Sequence, residues 1–135
     1  MYNTHLLHNA SECDALLNIV NTTQDELIFQ KKTLEYRITY YLRNAALIDA
    51  ELNAKLLLLN AINTMLAEDP DFSLKEKLLK DQKRHLYEVF KLSKRRIDIG
   101  TIAALGSELK IAKIEKELEA IEAFKVEVER RKATL

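Results

Sequence analysis

Residues 13–66 read CDALLNIVNTTQDELIFQKKTLEYRITYYLRNAALIDAELNAKLLLLNAINTML. Taken in alternate steps of three and four, this stretch visits Cys13, Leu17, Val20, Gln24, Leu27, Lys31, Leu34, Ile38, Tyr41, Ala45, Ile48, Leu52, Lys55, Leu59, Ile62 and Leu66. Thirteen of these sixteen positions are apolar, and the phase never slips. A repeat averaging 3.5 residues keeps one stripe of a helix against a partner helix instead of letting it drift around the surface. The stretch therefore predicts a long helix with a coiled-coil seam.

The surrounding composition agrees. The chain has 135 residues, 47% hydrophobic and 31% charged, with two Gly, one Pro and no Trp. That is the composition of long helices in one folded, all-α domain. Twenty-one basic residues balance twenty-one acidic ones, so no net field draws the chain to nucleic acid or to an anionic membrane. The single cysteine, Cys13, has no partner for an internal disulfide and falls on the seam as a buried thiol. The first residues lack the basic-then-apolar order of a signal peptide, and the longest unbroken Leu run is Leu56 to Leu59. A soluble, cytoplasmic protein without a membrane partner is the expectation.

Punctuation along the chain sets the topology. Ser11 with Asp14 resembles a capping box, placing residues 1–10 as a loose lead and the first helix over 12–68. No Gly or Pro interrupts it, although Asn21-Thr22-Thr23 before Asp25 and Glu26 has the look of a helix start. An unbroken helix of that length would run about 85 Å at 1.5 Å per residue. Asp69-Pro70-Asp71-Phe72-Ser73 then stops it, with Ser73 and Glu76 capping a second helix over 73–97. The apolar residues of that helix, Leu78, Leu79, Leu86, Val89, Phe90 and Ile97, form a broad stripe. Gly100 and Gly106 bracket a weak point before a third helix over 101–134, which starts at 107 if the break is longer. Strict spacing returns at Ile111, Ile114, Leu118, Ile121, Lys125, Val128, Lys132 and Leu135. The prediction is a long antiparallel helical hairpin whose return arm is made of two helices. A compact four-helix bundle is the alternative, and it needs the first helix to break near Thr22 or Asn44.

Catalytic chemistry finds no support. No acid stands three residues before any of the histidines, so the Glu-x-x-His ligand pair of helical di-iron proteins is missing. His5, His8 and Glu12 have ligand spacing but lie in or beside the loose lead, where exposed polar residues are the simpler account. His85 sits at the edge of the second stripe and is expected to be partly buried with a hydrogen-bond partner. Neither Cys13 nor any serine has a base placed beside it, and no Gly-rich phosphate loop occurs. No catalytic, cofactor or metal residue is assigned, and no enzyme activity is expected.

What the pattern does suggest is contact with other helices. Gln24, Lys31, Lys55 and Lys125 interrupt the seams, where such residues lower stability but disfavour wrong registers. With Ile38 and Ala45 at a positions, Tyr36, Ala50 and Leu57 fall at f, Tyr40, Leu47, Ala54 and Ala61 at c, and Leu58 and Met65 at g. These nine residues face away from the seam and form a second apolar stripe, which predicts self-association. The expected object is a homodimer of hairpins about a two-fold axis, acting as an adaptor or structural protein, with another helical protein as a further partner. The competing function is a small regulatory module that binds nucleic acid. It would use the tyrosines with the clusters Lys94-Arg95-Arg96 and Arg130-Arg131-Lys132, but both clusters fall at helix C-termini, where they oppose the helix dipole.

Overall fold

The computed structural model describes residues 2–135, and these are 91% helical with no strands. A short 3₁₀ turn, η1 (Thr4–Leu6), precedes three helices: α1 (Ala10–Ala67), α2 (Phe72–Ile99) and α3 (Thr101–Ala133). The fold is a helical hairpin with a long first helix and a return arm of two helices. Its contacts form two compact units, one made of residues up to Arg37 with Ser107–Leu135, the other of Ile38–Gly106.

α1 is unbroken for 58 residues. Thr22 and Thr23 do not cap a new helix. Their hydroxyls donate to the carbonyls of Asn18 and Ile19, at 3.0 and 3.2 Å, so each threonine satisfies itself inside the helix it was expected to interrupt. With α1 continuous there and at Asn44, the compact four-helix bundle has no place to turn.

Both predicted caps move. α1 is capped by Asn9, not Ser11: Asn9 Oδ1 accepts from the Glu12 amide at 2.8 Å, while the Glu12 carboxylate accepts from Asn9 Nδ2 and from the His8 amide. This is a reciprocal box built two residues earlier, with Asn at N-cap and Glu at N3. α2 is capped by Asp71, not Ser73, through a 2.8 Å bond from the Leu74 amide. The carboxylate also sits at the positive end of the helix, an advantage a serine hydroxyl lacks. Between the helices Asp69 takes φ 53, a left-handed conformation that aspartate tolerates, and Pro70 follows where no amide is needed.

In the unit of residues up to Arg37 with Ser107–Leu135, α1 and α3 pack antiparallel. Leu27, Leu34 and Ile114 are buried, with Ile111, Leu118 and Ile121 packed against them. Cys13 and Val128 are fully enclosed. Asp14 pairs with Lys132 at 2.6 Å and Lys31 with Glu115 at 3.3 Å. Gln24 lies between Lys125, which donates to its Oε1 at 3.1 Å, and Glu122, which accepts from its Nε2 at 3.4 Å. Each polar intrusion in this seam therefore meets a complementary group.

In the unit Ile38–Gly106, α1 packs antiparallel on α2. Ala45, Ile48, Leu59 and Ile62 are buried from one side and Leu78 from the other. Gln82 donates to Asn63 at 2.7 Å, Lys55 pairs with Glu88 at 2.5 Å, and Arg96 pairs with Asp49 at 2.6 Å. The face α2 buries differs from the stripe the sequence suggested. Leu79, Leu86, Phe90 and Ile97 are exposed; the buried side is Leu78, Gln82, His85, Val89, Leu92, Arg96 and Ile99. That series also keeps alternate steps of three and four, so α2 carries a seam hidden under its polar members.

The α2–α3 junction has a cause in the same spacing. The buried series of α2 ends at Ile99, while that of α3 starts at Gly100 and continues through Ala104. One residue is 100° of helix, so an uninterrupted helix would turn Ala104 away from the side that Ile99 faces. A break resets the phase. Gly100 provides it because an added Cβ would lie 2.2 Å from the Arg96 carbonyl oxygen. Gly106, by contrast, sits within α3 with open space around it.

Candidate interaction surface

The face of α1 opposite its seam is open in the unit Ile38–Gly106. All sixteen seam positions from Cys13 to Leu66 are buried or half-buried. On the other side Tyr40, Leu47, Ala50, Ala54, Leu57, Leu58, Ala61 and Met65 are all exposed, Leu57 by 71% and Leu47 by 58%. The helix positions them directly, because f positions lie about 170°, c positions about 130° and g positions about 90° around the axis from the middle of the a/d seam. Three alanines among five larger side chains leave shallow places where another helix can approach closely. Tyr36, in the other unit, is 79% exposed. Tyr40 leans on Tyr41, ring centroids 5.9 Å apart, and Tyr41 is half-buried on the seam.

α2 adds a second exposed apolar face. Its members were visible in the sequence as Leu79, Leu86, Phe90 and Ile97. What could have reassigned them is the competing series through Gln82, His85 and Arg96, whose strict spacing outweighs its polarity.

Several charged residues of these helices are engaged within the chain. Lys55 and the His85 ring both address Glu88 Oε2, at 2.5 and 3.4 Å. The hydrogen bond from Lys55, followed by that from His85, holds the Glu88 carboxyl below the usual range against the opposing effect of desolvation. His85 is buried with this partner. Arg96 is committed to Asp49 and Thr101, Arg131 donates twice to the Leu7 carbonyl, and Lys132 is held by Asp14. Members of both basic clusters thus serve as intrachain ties.

Among the described residues no three His, Cys, Asp or Glu side chains converge as metal ligands. His5 and His8 are exposed, and Glu12 is occupied in capping α1. No described helix is long and apolar enough to cross a membrane. The fold defines a class, an all-α helical hairpin with an open apolar helix face. No protein-family model, curated protein or solved structure matches this chain.

Proposed function

We propose that this chain is a non-catalytic helical interaction protein that self-associates through the outward face of α1. The observation that carries the proposal is the pairing of a fully used seam with an unused apolar stripe on the same helix segment. A monomer seldom leaves a contiguous stripe of this kind in water, because burying a Leu or Met side chain contributes about 1.5–3 kcal/mol. The partner is a second copy, joined by coiled-coil-type contacts about a two-fold axis, with Leu47, Leu57, Leu58 and Met65 as anchors and Ala50, Ala54 and Ala61 as points of close approach. Once assembled, such an object acts as an adaptor or structural element for other helical proteins. Nucleic-acid binding is less well supported, since Arg96, Arg131 and Lys132 already have partners within the chain.

Light scattering tests this. The wild type should have the mass of two chains or more at tens of micromolar, and the double variant Leu47→Glu/Leu58→Glu should be a folded helical monomer. A single-chain mass for the wild type would remove the dimer, and an unfolded double variant would mean that the chain itself covers this face.

A further inference from the structure

In the unit of residues up to Arg37 with Ser107–Leu135, a groove of about 450 Å³ runs between α1 and α3. Phe29, Leu34 and Ile114 form its apolar part, and Arg37, Lys110 and Lys113 its charged part. No acidic side chain lines it. The three cations make no ion pair among the described residues. Phe29 is 72% exposed. The surface therefore asks for an apolar or aromatic group with carboxylates beside it. It is an open groove rather than an enclosed cavity, so a segment of polypeptide suits it better than a small molecule.

The same helix pair already holds an aromatic ring in this way. Tyr2, from the segment before α1, packs edge-on against Phe124 with ring centroids 4.8 Å apart. The two rings, with Val20, Thr23, Ala120 and Ile121, border one shallow cavity. An irregular segment delivering one ring between α1 and α3 is thus a contact this unit makes.

A segment of the chain with the complementary chemistry is Glu68-Asp69-Pro70-Asp71-Phe72, the turn between α1 and α2 with the first residue of α2. Phe72 is 80% exposed, next to three carboxylates. Glu68 and Asp69 make no ion pair among the described residues, and Asp71 Oδ1 accepts from the Leu74 amide. We propose that the Phe72 turn of a second copy of this chain seats in the groove. Its ring covers Phe29, Leu34 and Ile114, and Glu68 and Asp69 face Arg37, Lys110 and Lys113. A second copy is the occupant because donor and acceptor surfaces reside on one sequence and are always present in equal amounts. The contact does not use the Leu47–Leu58 face and stands apart from the proposal made for it.

The experiment is photo-crosslinking of the full chain carrying Phe72→p-benzoylphenylalanine, mixed with isotopically heavy chain. Both copies carry Leu47→Glu/Leu58→Glu, so that the other face plays no part. Light-to-heavy crosslinks should map to residues 29–37 or 110–114. Lys110→Glu/Lys113→Glu in the heavy chain should lower their yield about fivefold or more, the upper range for one surface ion pair. Pairing that variant with a probe chain carrying Glu68→Lys/Asp69→Lys should restore it in large part, since two charges on each surface are then reversed and Arg37 is left as it was. Helicity of each variant is checked by circular dichroism. The wild-type yield should also fall between about 0.05 M and about 0.5 M salt. Crosslinks confined to one chain, crosslinks to the outward face of α1, absence of light-to-heavy product, or a yield indifferent to charge reversal or salt would overturn the proposal.

Discussion

Arg96 holds Asp49 through two parallel bonds, Nε to Oδ1 at 2.6 Å and Nη2 to Oδ2 at 3.0 Å, and spends its remaining nitrogen, Nη1, on the Thr101 hydroxyl at 2.7 Å. One guanidinium thus ties α1, the end of α2 and the first residue of α3. The hydrogen bond pushes the Asp49 carboxyl below its ordinary value and raises Arg96 above its own. The planar fork is what makes three bonds possible, and an ammonium on a flexible stem cannot reproduce it. The pair lies near solvent, so its Coulomb attraction is screened and its worth is mainly local order.

Arg96→Lys should therefore keep the charge and lose the junction. Amide hydrogen exchange at Thr101 to Ala104 is expected to quicken severalfold, with little change at Leu27 or Leu34. Unaltered protection at the junction would show that Gly100 and its neighbours hold it without the arginine.

The two glycines should respond in opposite directions. Gly100→Ala places a methyl 2.2 Å from a backbone carbonyl oxygen, which the helix end can relieve only by moving, and it should destabilise the chain. Gly106→Ala meets nothing and adds a helix former to a helix interior, so it should stabilise by about 0.5–1 kcal/mol. Thermal melts of the two variants, run at low concentration, check both signs.

These positions also show what the sequence could and could not convey. The α1 seam was legible because it depends only on spacing, and packing against α2 or α3 agrees with spacing at all sixteen positions. The α2 seam was not, because Gln82 and Arg96 look solvent-facing until Asn63 and Asp49 come within bonding distance, and His85, expected to be partly buried, was placed only at the edge of the other stripe. Leu79, Leu86 and Phe90 supplied a louder apolar signal one step around the helix. The caps failed for a related reason: Asn9 and Asp71 compete with Ser11 and Ser73 two residues away, and only backbone geometry decides which side chain reaches the free amides. Gly100 was visible as a weak point. That it corrects a one-residue phase change required both buried series.

The pH dependence should have two edges. Asp49 and Glu88 titrate below their ordinary values of 3.8 and 4.5 when folded, so they support the fold above the unfolded values and lose that support as pH falls through the folded ones. Lys132 is raised above 10.5 by its bond to Asp14, so its contribution is present below that value and disappears as pH rises through the folded one. Melting temperature should be flat across neutral pH, falling below about pH 4.5 and again above about pH 10.5. Lys55→Leu removes the largest cause of the Glu88 shift. Carboxyl-detected NMR should then find the Glu88 titration moved upward, and overall stability unchanged or raised as an apolar residue takes a half-buried seam position. A large loss of stability in that variant would mean Lys55 and Glu88 form a required pair and not merely a register mark.

Leu47 and Ile48 are neighbours in sequence about 100° apart around α1, one exposed and one buried, and together they separate folding from association. Ile48 is 3% exposed, among the core residues of its unit, whereas Leu47 is 58% exposed. Ile48→Ala removes buried methyl and methylene groups and leaves a cavity, at a cost of about 2–5 kcal/mol that should not depend on protein concentration. Leu47→Ala deletes almost nothing from the core, so in dilute solution it should shift stability by no more than about 0.5 kcal/mol. At high concentration a second copy would bury Leu47, and mass action would make the melting temperature of the wild type rise with concentration more steeply than that of Leu47→Ala. Denaturation at two concentrations a hundredfold apart distinguishes the cases. Equal losses for Leu47→Ala at both concentrations would place Leu47 in an intrachain contact, and no concentration dependence in either protein would leave the outward face of α1 without the second copy assigned to it.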